Sequence, residues 1–350
     1  MPRYKKHEAR DWARAHMTGC DNVIIPSYTG DMKALNEKGI RHDVRRCIEL
    51  GFEGTLLVSE VNITLDEYRQ FTAWAHDEAK GKLRLVHHAS FNTLEENIEA
   101  AQMTEKAGMD YVLLSYPANF YPTSAQDIYD YTKAFCDATN LGVMLFAVPL
   151  WNFGRIHPAD IEPALLRRLL KDVPNIIAIK AEGGMPVIGG LIDAYRQFKD
   201  QVVISCPLEA DVIPLMAVME FQYSGTSNTH YYGNSVPRMF NFARDGKMDE
   251  AMEIYWRIHP ARQANQQVNA GTPFTHFLNR MVWNFQGWLQ GMNGGPLRGP
   301  TNKIGDRQMA MLRRGLIDAK LEPTKDTDAA YFVGRNPQPR ATTAARHAAE

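Results

Sequence analysis

Eight short apolar runs, each followed by a longer segment with helical periodicity, constrain the fold of this chain more than any other sequence feature. Each run has the length of one β-strand, and its nearly unbroken hydrophobicity is typical of a parallel strand buried on both faces. Eight strands that alternate with helices favour an α/β fold closed into one (β/α)8 TIM barrel over two open sheets. The predicted strands are residues 22–26, 54–58, 83–88, 111–115, 142–148, 175–180, 201–206 and 221–226.

Start and stop signals separate the helices from the strands. Thr64 and Thr93 each precede an acidic residue three positions later, which is the spacing of a capping box at a helix N-terminus. Gly51, Gly108 and Gly142 each lie between a helical segment and the next apolar run, where glycine commonly ends a helix. An open doubly wound sheet would need a glycine-rich first turn, and the sequence contains no GxGxxG motif.

The alternation of strands and helices ends near Ser235, beyond which only helical patterns follow. We therefore predict an N-terminal segment over residues 1–20 and the barrel core over residues 21–234. A C-terminal helical appendage over residues 235–320 is expected beside the barrel or at an interface. Residues 321–350 are polar and lack apolar periodicity, which predicts a mobile tail.

Composition excludes several classes of function. The chain has 39 lysines and arginines against 40 aspartates and glutamates, so it presents no positive field for a nucleic acid or an anionic membrane surface. No apolar run approaches the roughly 18 residues of a membrane span, and the charged N-terminus is unlike a signal peptide. Cys20, Cys47, Cys136 and Cys206 are too widely spaced for a disulfide scaffold or a metal site. These features predict a cytoplasmic protein without a metal.

Lys180 is the strongest candidate for chemistry because it ends an otherwise apolar strand. Alternation places Ile176, Ala178 and Lys180 on one face, and barrel chemistry lies at the carboxyl ends of the strands. If that face points inward, desolvation lowers the pKa of the lysine amine and makes it a nucleophile toward carbonyl carbon. The alternative is a side chain that extends from the strand end into solvent.

Six short motifs, spread over most of the chain, carry a family resemblance. They are TLDE at 64–67, AGMD at 107–110, PNIIAIK at 174–180, NSVP and DGK within 234–247, and NGGPLRGP at 293–300. In order and spacing they resemble the dihydrodipicolinate synthase / N-acetylneuraminate lyase family of class I aldolases. The resemblance covers roughly the stretch from Asn22 to Pro300. It implies a Schiff base at Lys180, a tetramer, and catalysis without a metal or organic cofactor.

The sequence departs from this family at positions where the resemblance implies substrate contacts. Phe146 stands in place of the tyrosine that moves protons beside the imine, and a phenyl ring cannot transfer a proton. Residues 57–62 replace the loop that binds the pyruvyl carboxylate, with only Ser59 at a hydroxyl position. Trp151 lies near the place of a substrate-binding arginine, and Arg155 is displaced from it. We therefore expect a reaction other than ordinary dihydrodipicolinate synthesis.

Several residues at predicted strand ends could supply the missing proton transfer. His87 and His88 end the third strand, and because adjacent residues point to opposite faces, at most one faces the pocket. The alternative for each is a histidine packed behind the barrel. Tyr116 could bring a phenol from the fourth strand, while Glu60 and Glu182 could be bases or solvated loop acids.

Other residues near the predicted strand ends are candidates for substrate binding. Ser59 and Asn62 could hold an anionic or polar group. Phe146 and Trp151 belong to an aromatic cluster that would pack against an apolar substrate or simply fill space. The predicted substrate-binding residues are Ser59, Glu60, Asn62, Phe146, Trp151, Cys206 and Ser227.

These features lead to one main functional hypothesis and two rivals. The main hypothesis is a Schiff-base-forming lyase, of the aldolase or dehydratase type, in which Lys180 attacks a 2-oxo acid or related oxo substrate. The expected partners are this small molecule and further copies of the chain. The rivals are an imine-independent hydrolase or dehydratase on the same barrel, and a non-catalytic ligand-binding barrel.

Overall fold

The structure is a computed structural model, and it describes residues 3–146, 151–181, 187–270 and 276–340. Within these ranges eight parallel strands pair in chain order from β1 to β7, and β8 pairs with β1. The predicted (β/α)8 barrel is thereby confirmed. The strands are β1 Gly19–Ile24, β2 Gly54–Leu57, β3 Arg84–Ala89, β4 Tyr111–Leu114, β5 Gly142–Phe146, β6 Ile176–Lys180, β7 Val203–Ser205 and β8 Tyr223–Ser224.

Two serine hydroxyls connect β7 and β8, where the barrel closes. The Ser205 hydroxyl donates to the Gly225 carbonyl at 2.8 Å, and the Ser224 hydroxyl donates to the Cys206 carbonyl at 2.8 Å. These bonds join two very short strands whose backbones alone offer few groups for pairing.

Helix α1 precedes the barrel, and α2 to α9 follow its strands one by one. Because α9 follows β8 as a barrel helix, only α10 to α13 of the range predicted as the C-terminal appendage, residues 235–320, lie beyond the barrel, and the name is used for these four helices below. In the described ranges no helix is long and apolar enough to cross a membrane. The helices are α1 Ala9–His16, α2 Glu37–Glu49, α3 Leu65–Ala79, α4 Leu94–Ala107, α5 Ala125–Asp137, α6 Pro163–Asp172, α7 Val187–Phe198, α8 Glu209–Leu215, α9 Ser235–Arg244, α10 Met248–Arg257, α11 His259–Ala270, α12 Arg280–Leu289 and α13 Asp306–Asp318. Short 3-10 helices occur at Lys6–Glu8, Phe153–Arg155, Thr229–Tyr232, His276–Asn279 and Asp328–Phe332.

The predicted capping residues begin α3 and α4. The Thr64 hydroxyl accepts from the Glu67 amide at 3.2 Å, and the Glu67 carboxylate accepts from the Thr64 amide at 3.1 Å, which completes a capping box. The Thr93 hydroxyl caps α4 in the same way, but the Glu96 carboxylate accepts from the Asn92 amide instead.

A cluster of buried polar side chains fills the barrel near the amino ends of the strands. Asp21 Oδ1 lies 2.7 Å from Arg84 Nη2, and the Tyr111 hydroxyl donates to Asp21 Oδ2 at 2.8 Å. The Tyr223 hydroxyl also donates to Asp21 Oδ2, at 3.2 Å. The presence of this aspartate explains why β1 begins earlier than predicted, since a polar residue interrupts the apolar pattern of a strand that is nevertheless buried.

Residues 321–340, predicted as the start of a mobile tail, pack against the appendage instead. Tyr331 is buried, and its ring centroid lies 5.2 Å from that of Phe285. Backbone hydrogen bonds join Gly295 to Tyr331 at 2.8 Å and Arg335 to Asn293 at 2.9 Å. The prediction is wrong for this part because a buried aromatic residue and a set of hydrogen bonds, including one from Asn36 to the Asn336 carbonyl at 2.7 Å, hold a segment that lacks apolar periodicity. The prediction for residues 341–350 lies outside the described ranges.

Candidate active site

A cavity of about 280 Å³ opens at the carboxyl ends of the strands. Its apolar floor includes Val23, Leu56 and Leu113. Each of them lies two positions further along its strand than the layer of polar side chains around Asp21, and therefore faces the same side of the sheet. Residues of α11 and α12 complete the wall. The C-terminal appendage is therefore part of this site and does not merely lie beside the barrel.

Lys180, at the end of β6, points into this cavity. Its side chain is almost fully buried, and Nζ donates to the Thr226 carbonyl at 2.9 Å. Nζ also lies 3.8 Å from the ring centroid of Phe146, the residue paired with Lys180 across β5 and β6. The amine is thus held at a fixed place in a largely desolvated site, as alternation along the strand predicts.

His88 is the one residue of the predicted histidine pair that lines the cavity. The Ser59 amide donates to Nδ1 at 3.3 Å, while Nε2 lies 2.9 Å from Ser115 Oγ and 3.5 Å from Glu60 Oε1. Burial lowers the pKa of His88 to about 4, and the positive charges of Arg280 and Lys180 act in the same direction. The ring is therefore neutral at pH 7, and because Nδ1 accepts a hydrogen bond, its proton is on Nε2.

Glu60 lies inside the site, in an ion pair that sequence reasoning missed. Arg280 Nη2, at the start of α12, contacts Glu60 Oε2, and both side chains are at least nine-tenths buried. The Ser90 hydroxyl donates to Glu60 Oε1 at 3.1 Å. The guanidinium carbon of Arg280 lies 4.2 Å from the ring centroid of Trp283, a second cavity residue of α12. The alternative of a solvated loop acid is therefore wrong for Glu60.

A chain of hydrogen-bonded side-chain amides contributes Asn228, Asn265 and Asn269 to the cavity wall. Asn228 donates to Gln286 at 2.7 Å, Gln286 donates to Asn265 at 2.6 Å, and Asn269 donates to Asn265 at 2.8 Å. The Ser227 hydroxyl, a predicted binding residue, lies 3.4 Å from the Asn228 side-chain oxygen and also lines the cavity. These groups offer neutral hydrogen-bond donors and acceptors to a ligand.

His87 and Tyr116 do not reach the cavity, so the structure gives no support to catalytic roles for them. His87 points outward between β3 and α4, with Nδ1 3.1 Å from Thr104 Oγ1. The Tyr116 hydroxyl lies 2.6 Å from Thr132 Oγ1 on α5, and the ring stacks on Phe120. Both are fully buried in the layer between strands and helices.

Four of the predicted binding residues also lie outside the cavity wall. The Ser59 hydroxyl donates to the His88 carbonyl at 2.9 Å, and Asn62 is exposed, with its carbonyl accepting from Arg298 at 3.3 Å. Trp151 and Cys206 are buried away from the cavity. The structure therefore retains Glu60, Phe146 and Ser227 from the predicted set. Glu182 lies outside the described residues.

The described residues contain no group of three or more His, Cys, Asp or Glu side chains that could hold a metal ion. Among the side chains that line the cavity are one buried amine, one neutral imidazole and one carboxylate–guanidinium pair.

His87 leads to a prediction about acid stability. Burial, followed by the neighbouring His88, lowers the pKa of His87 to about 3, so between pH 6.5 and 3 the unfolded chain binds the extra proton. The contribution of the buried neutral ring to the free energy of unfolding is fully present above pH 6.5. Below that value it falls by about 1.4 kcal/mol for each pH unit. We expect urea unfolding of His87→Leu to show a pH slope that is smaller by this amount between pH 6 and 4. Parallel curves for the two chains would contradict the burial argument.

Comparison with known proteins places this site in a family context. The model of the dihydrodipicolinate synthetase family matches residues 24–286. The 4-hydroxy-tetrahydrodipicolinate synthase of Methanopyrus kandleri is 23% identical over 311 residues, which are 86% of this chain and 96% of that protein.

Solved structures share the fold at low sequence identity. Dihydrodipicolinate synthase from Aquifex aeolicus aligns with a TM-score of 0.73 and 15% identity, over 88% of this chain and 100% of that one. N-acetylneuraminate lyase from Fusobacterium nucleatum, complexed with pyruvate, aligns with a TM-score of 0.70 and 19% identity, over 86% of this chain and 97% of that one.

Proposed function

The chain belongs to the dihydrodipicolinate synthetase family of class I aldolase-type lyases, and from this premise we propose that Lys180 forms a Schiff base with a 2-oxo acid. The observation that carries the proposal is the position of the Lys180 amine, buried in the cavity, 2.9 Å from the Thr226 carbonyl and 3.8 Å from the Phe146 ring. The pyruvate complex of the Fusobacterium lyase supports a 2-oxo acid as the ligand class.

The proposed reaction proceeds through a protonated imine and an enamine. The Lys180 ammonium gives up one proton and the neutral amine adds to the carbonyl carbon. The carbinolamine hydroxyl then takes up a proton and leaves as water, which gives a protonated imine. That imine accepts the electron pair released when a proton or a carbon substituent leaves the neighbouring carbon, which gives an enamine. The enamine then takes up a proton, or attacks a carbonyl electrophile to form a carbon–carbon bond.

His88 is the group that we propose for proton transfer in place of the family tyrosine. It lines the same cavity as Lys180, and the Lys180 charge influences its pKa. Its Nε2–H can give a proton to the substrate in one step, and the same nitrogen can take a proton back in the next. Phe146 occupies the tyrosine position and contacts the amine with a ring that cannot transfer protons.

We further propose that the reaction differs from the 4-hydroxy-tetrahydrodipicolinate synthesis for which the relatives are named. Phe146 supports this, because the resemblance implies a tyrosine in its place. The Glu60–Arg280 pair and the amide groups of α11 also line the cavity and would contact the substrate. Location in the cytoplasm and assembly into a homo-oligomer, a tetramer by family resemblance, also belong to the proposal. A mass measurement in solution tests the assembly.

Borohydride reduction tests the Schiff base directly. We expect incubation with pyruvate and borohydride to add one reduced pyruvyl group to the chain, located by peptide mass at Lys180, because reduction converts the imine to a stable amine. Lys180→Arg should remain unlabelled, while Lys199→Arg, a control at an exposed lysine, should be labelled like the parent.

Each result has a defined meaning. Labelling of Lys180→Arg at another lysine would refute the assignment. Turnover of an oxo acid that survives Lys180→Arg would favour the imine-independent enzyme, and saturable binding without adduct or turnover would favour a ligand-binding barrel.

A further inference from the structure

The β2 side of the cavity carries an unusual set of groups for a site that must hold a carboxylate. Val58 lines it with an apolar side chain, and the neighbouring Ser59 hydroxyl is already donated to the His88 carbonyl at 2.9 Å. The strongest donor on this side is the guanidinium of Arg280, which comes from α12. A guanidinium binds carboxylates through two parallel hydrogen bonds.

Glu60 occupies Arg280 in this structure and also lies near His88. One carboxylate oxygen contacts Arg280, and the other lies 3.5 Å from His88 Nε2 and accepts from the Ser90 hydroxyl at 3.1 Å. Glu60 is therefore a carboxylate of the chain itself, placed between a carboxylate-binding guanidinium and the imidazole that we propose for proton transfer.

We propose that Arg280 binds the carboxylate of the 2-oxo acid in exchange for Glu60, and that Glu60 then pairs with His88. The identity of the incoming anion rests on the proposed function. The exchange replaces one carboxylate by another at Arg280, so the buried guanidinium stays paired throughout. It also brings a negative charge against the imidazole at the stage when that ring must accept a proton.

The charges around His88 agree with such coupling. The charged groups that face it are Glu60 from the β2 loop, Arg280 from α12 and Lys180 from β6. Glu60 favours the protonated ring, whereas Arg280 and Lys180 disfavour it. Moving Glu60 away from Arg280 and toward His88 would strengthen the single favourable influence, and the incoming carboxylate would offset the charge of Arg280.

Binding of two matched probes tests the exchange. Pyruvate and its amide, pyruvamide, differ in the carboxylate, and calorimetry on Lys180→Met measures their binding without imine formation. We expect Arg280→Gln, added to Lys180→Met, to raise the dissociation constant for pyruvate by about 10- to 100-fold, since a hydrogen-bonded charge pair is lost. Pyruvamide binding should not change.

Glu60→Gln is expected to change the dissociation constant for pyruvate in the opposite direction. It removes the competing carboxylate, so we expect the dissociation constant for pyruvate to fall. Arg298→Gln is the control, because Arg298 also pairs with a glutamate, Glu67 at 2.7 Å, and lies 4.4 Å from the Tyr28 ring centroid, outside the cavity. Arg298→Gln, added to Lys180→Met, should bind pyruvate and pyruvamide as tightly as Lys180→Met alone does. If Arg280→Gln fails to fold, Arg280→Lys keeps the charge without the planar fork and should still weaken pyruvate alone.

Several outcomes would overturn the exchange. Equal weakening of both probes by Arg280→Gln, weaker pyruvate binding in Glu60→Gln, or no pyruvate binding to either the parent chain or Lys180→Met would each do so. Unchanged pyruvate binding in Arg280→Gln would mean that the pyruvate carboxylate binds on the side of the cavity formed by Ser227 and Asn228 instead. Borohydride trapping at Lys180 can fail while Arg280-dependent binding persists, and the reverse also holds, so the two proposals fail separately.

Discussion

Replacing His88 by glutamine is expected to slow exchange of the pyruvate methyl protons with deuterium oxide by about 10²- to 10⁴-fold, the usual contribution of general acid–base catalysis. This exchange requires only the imine and a base that removes a proton from the neighbouring carbon. NMR follows it with pyruvate alone, so the natural electrophile need not be known. Borohydride trapping at Lys180 should persist in His88→Gln, because the amine itself is unchanged.

The chain offers a matched control for this prediction. His87 is the adjacent histidine on the same strand, but it points toward α4 and contacts Thr104 rather than the cavity. His87→Gln should exchange pyruvate protons at the rate of the parent chain. Equal losses in the two variants would indicate a general disturbance of β3, and full exchange in His88→Gln would remove His88 from the mechanism.

Most of the fold could be predicted because its signals are local. The strand predicted over residues 175–180 is β6 Ile176–Lys180, and the predicted capping residue Thr64 begins α3. Strands buried on both faces read as continuous apolar runs, and helix starts depend on residues three positions apart. The beginning of β1 was missed because Asp21 is a polar residue satisfied by partners from three other strands.

Sequence alone could predict only those residues of the candidate site that lie at or just after the end of a strand. Lys180, His88 and Phe146 are inward residues at the ends of their strands. The same alternation places Ser115 in the cavity and turns Tyr116 away, which strand position alone did not distinguish. Arg280 was missed because its partner Glu60 is 220 residues away in sequence, and only the packing of α12 over the barrel brings them together.

Removing the Asp21 carboxylate is expected to destabilise the folded chain by about 3–5 kcal/mol, the usual cost of leaving one charge of a buried pair without its partner. Asp21 is fully buried and the Arg84 side chain is 13% exposed, so water cannot replace the lost carboxylate effectively. Tyr111 and Tyr223 would lose their common acceptor as well. Urea unfolding of Asp21→Ala measures the loss of free energy.

The double variant Asp21→Leu with Arg84→Met separates charge burial from packing. An apolar pair removes both charges together, and such replacements are often neutral or stabilising, so we expect the double variant to recover most of the stability lost in Asp21→Ala. Asp318→Ala breaks an exposed pair with Arg314 and should change the free energy of unfolding by no more than about 1 kcal/mol. A double variant as unstable as Asp21→Ala would contradict the charge-burial argument. The instability would then be assigned to lost hydrogen bonds, those of the two tyrosine hydroxyls to Asp21 and those of Arg84 to the His16 and Thr18 carbonyls.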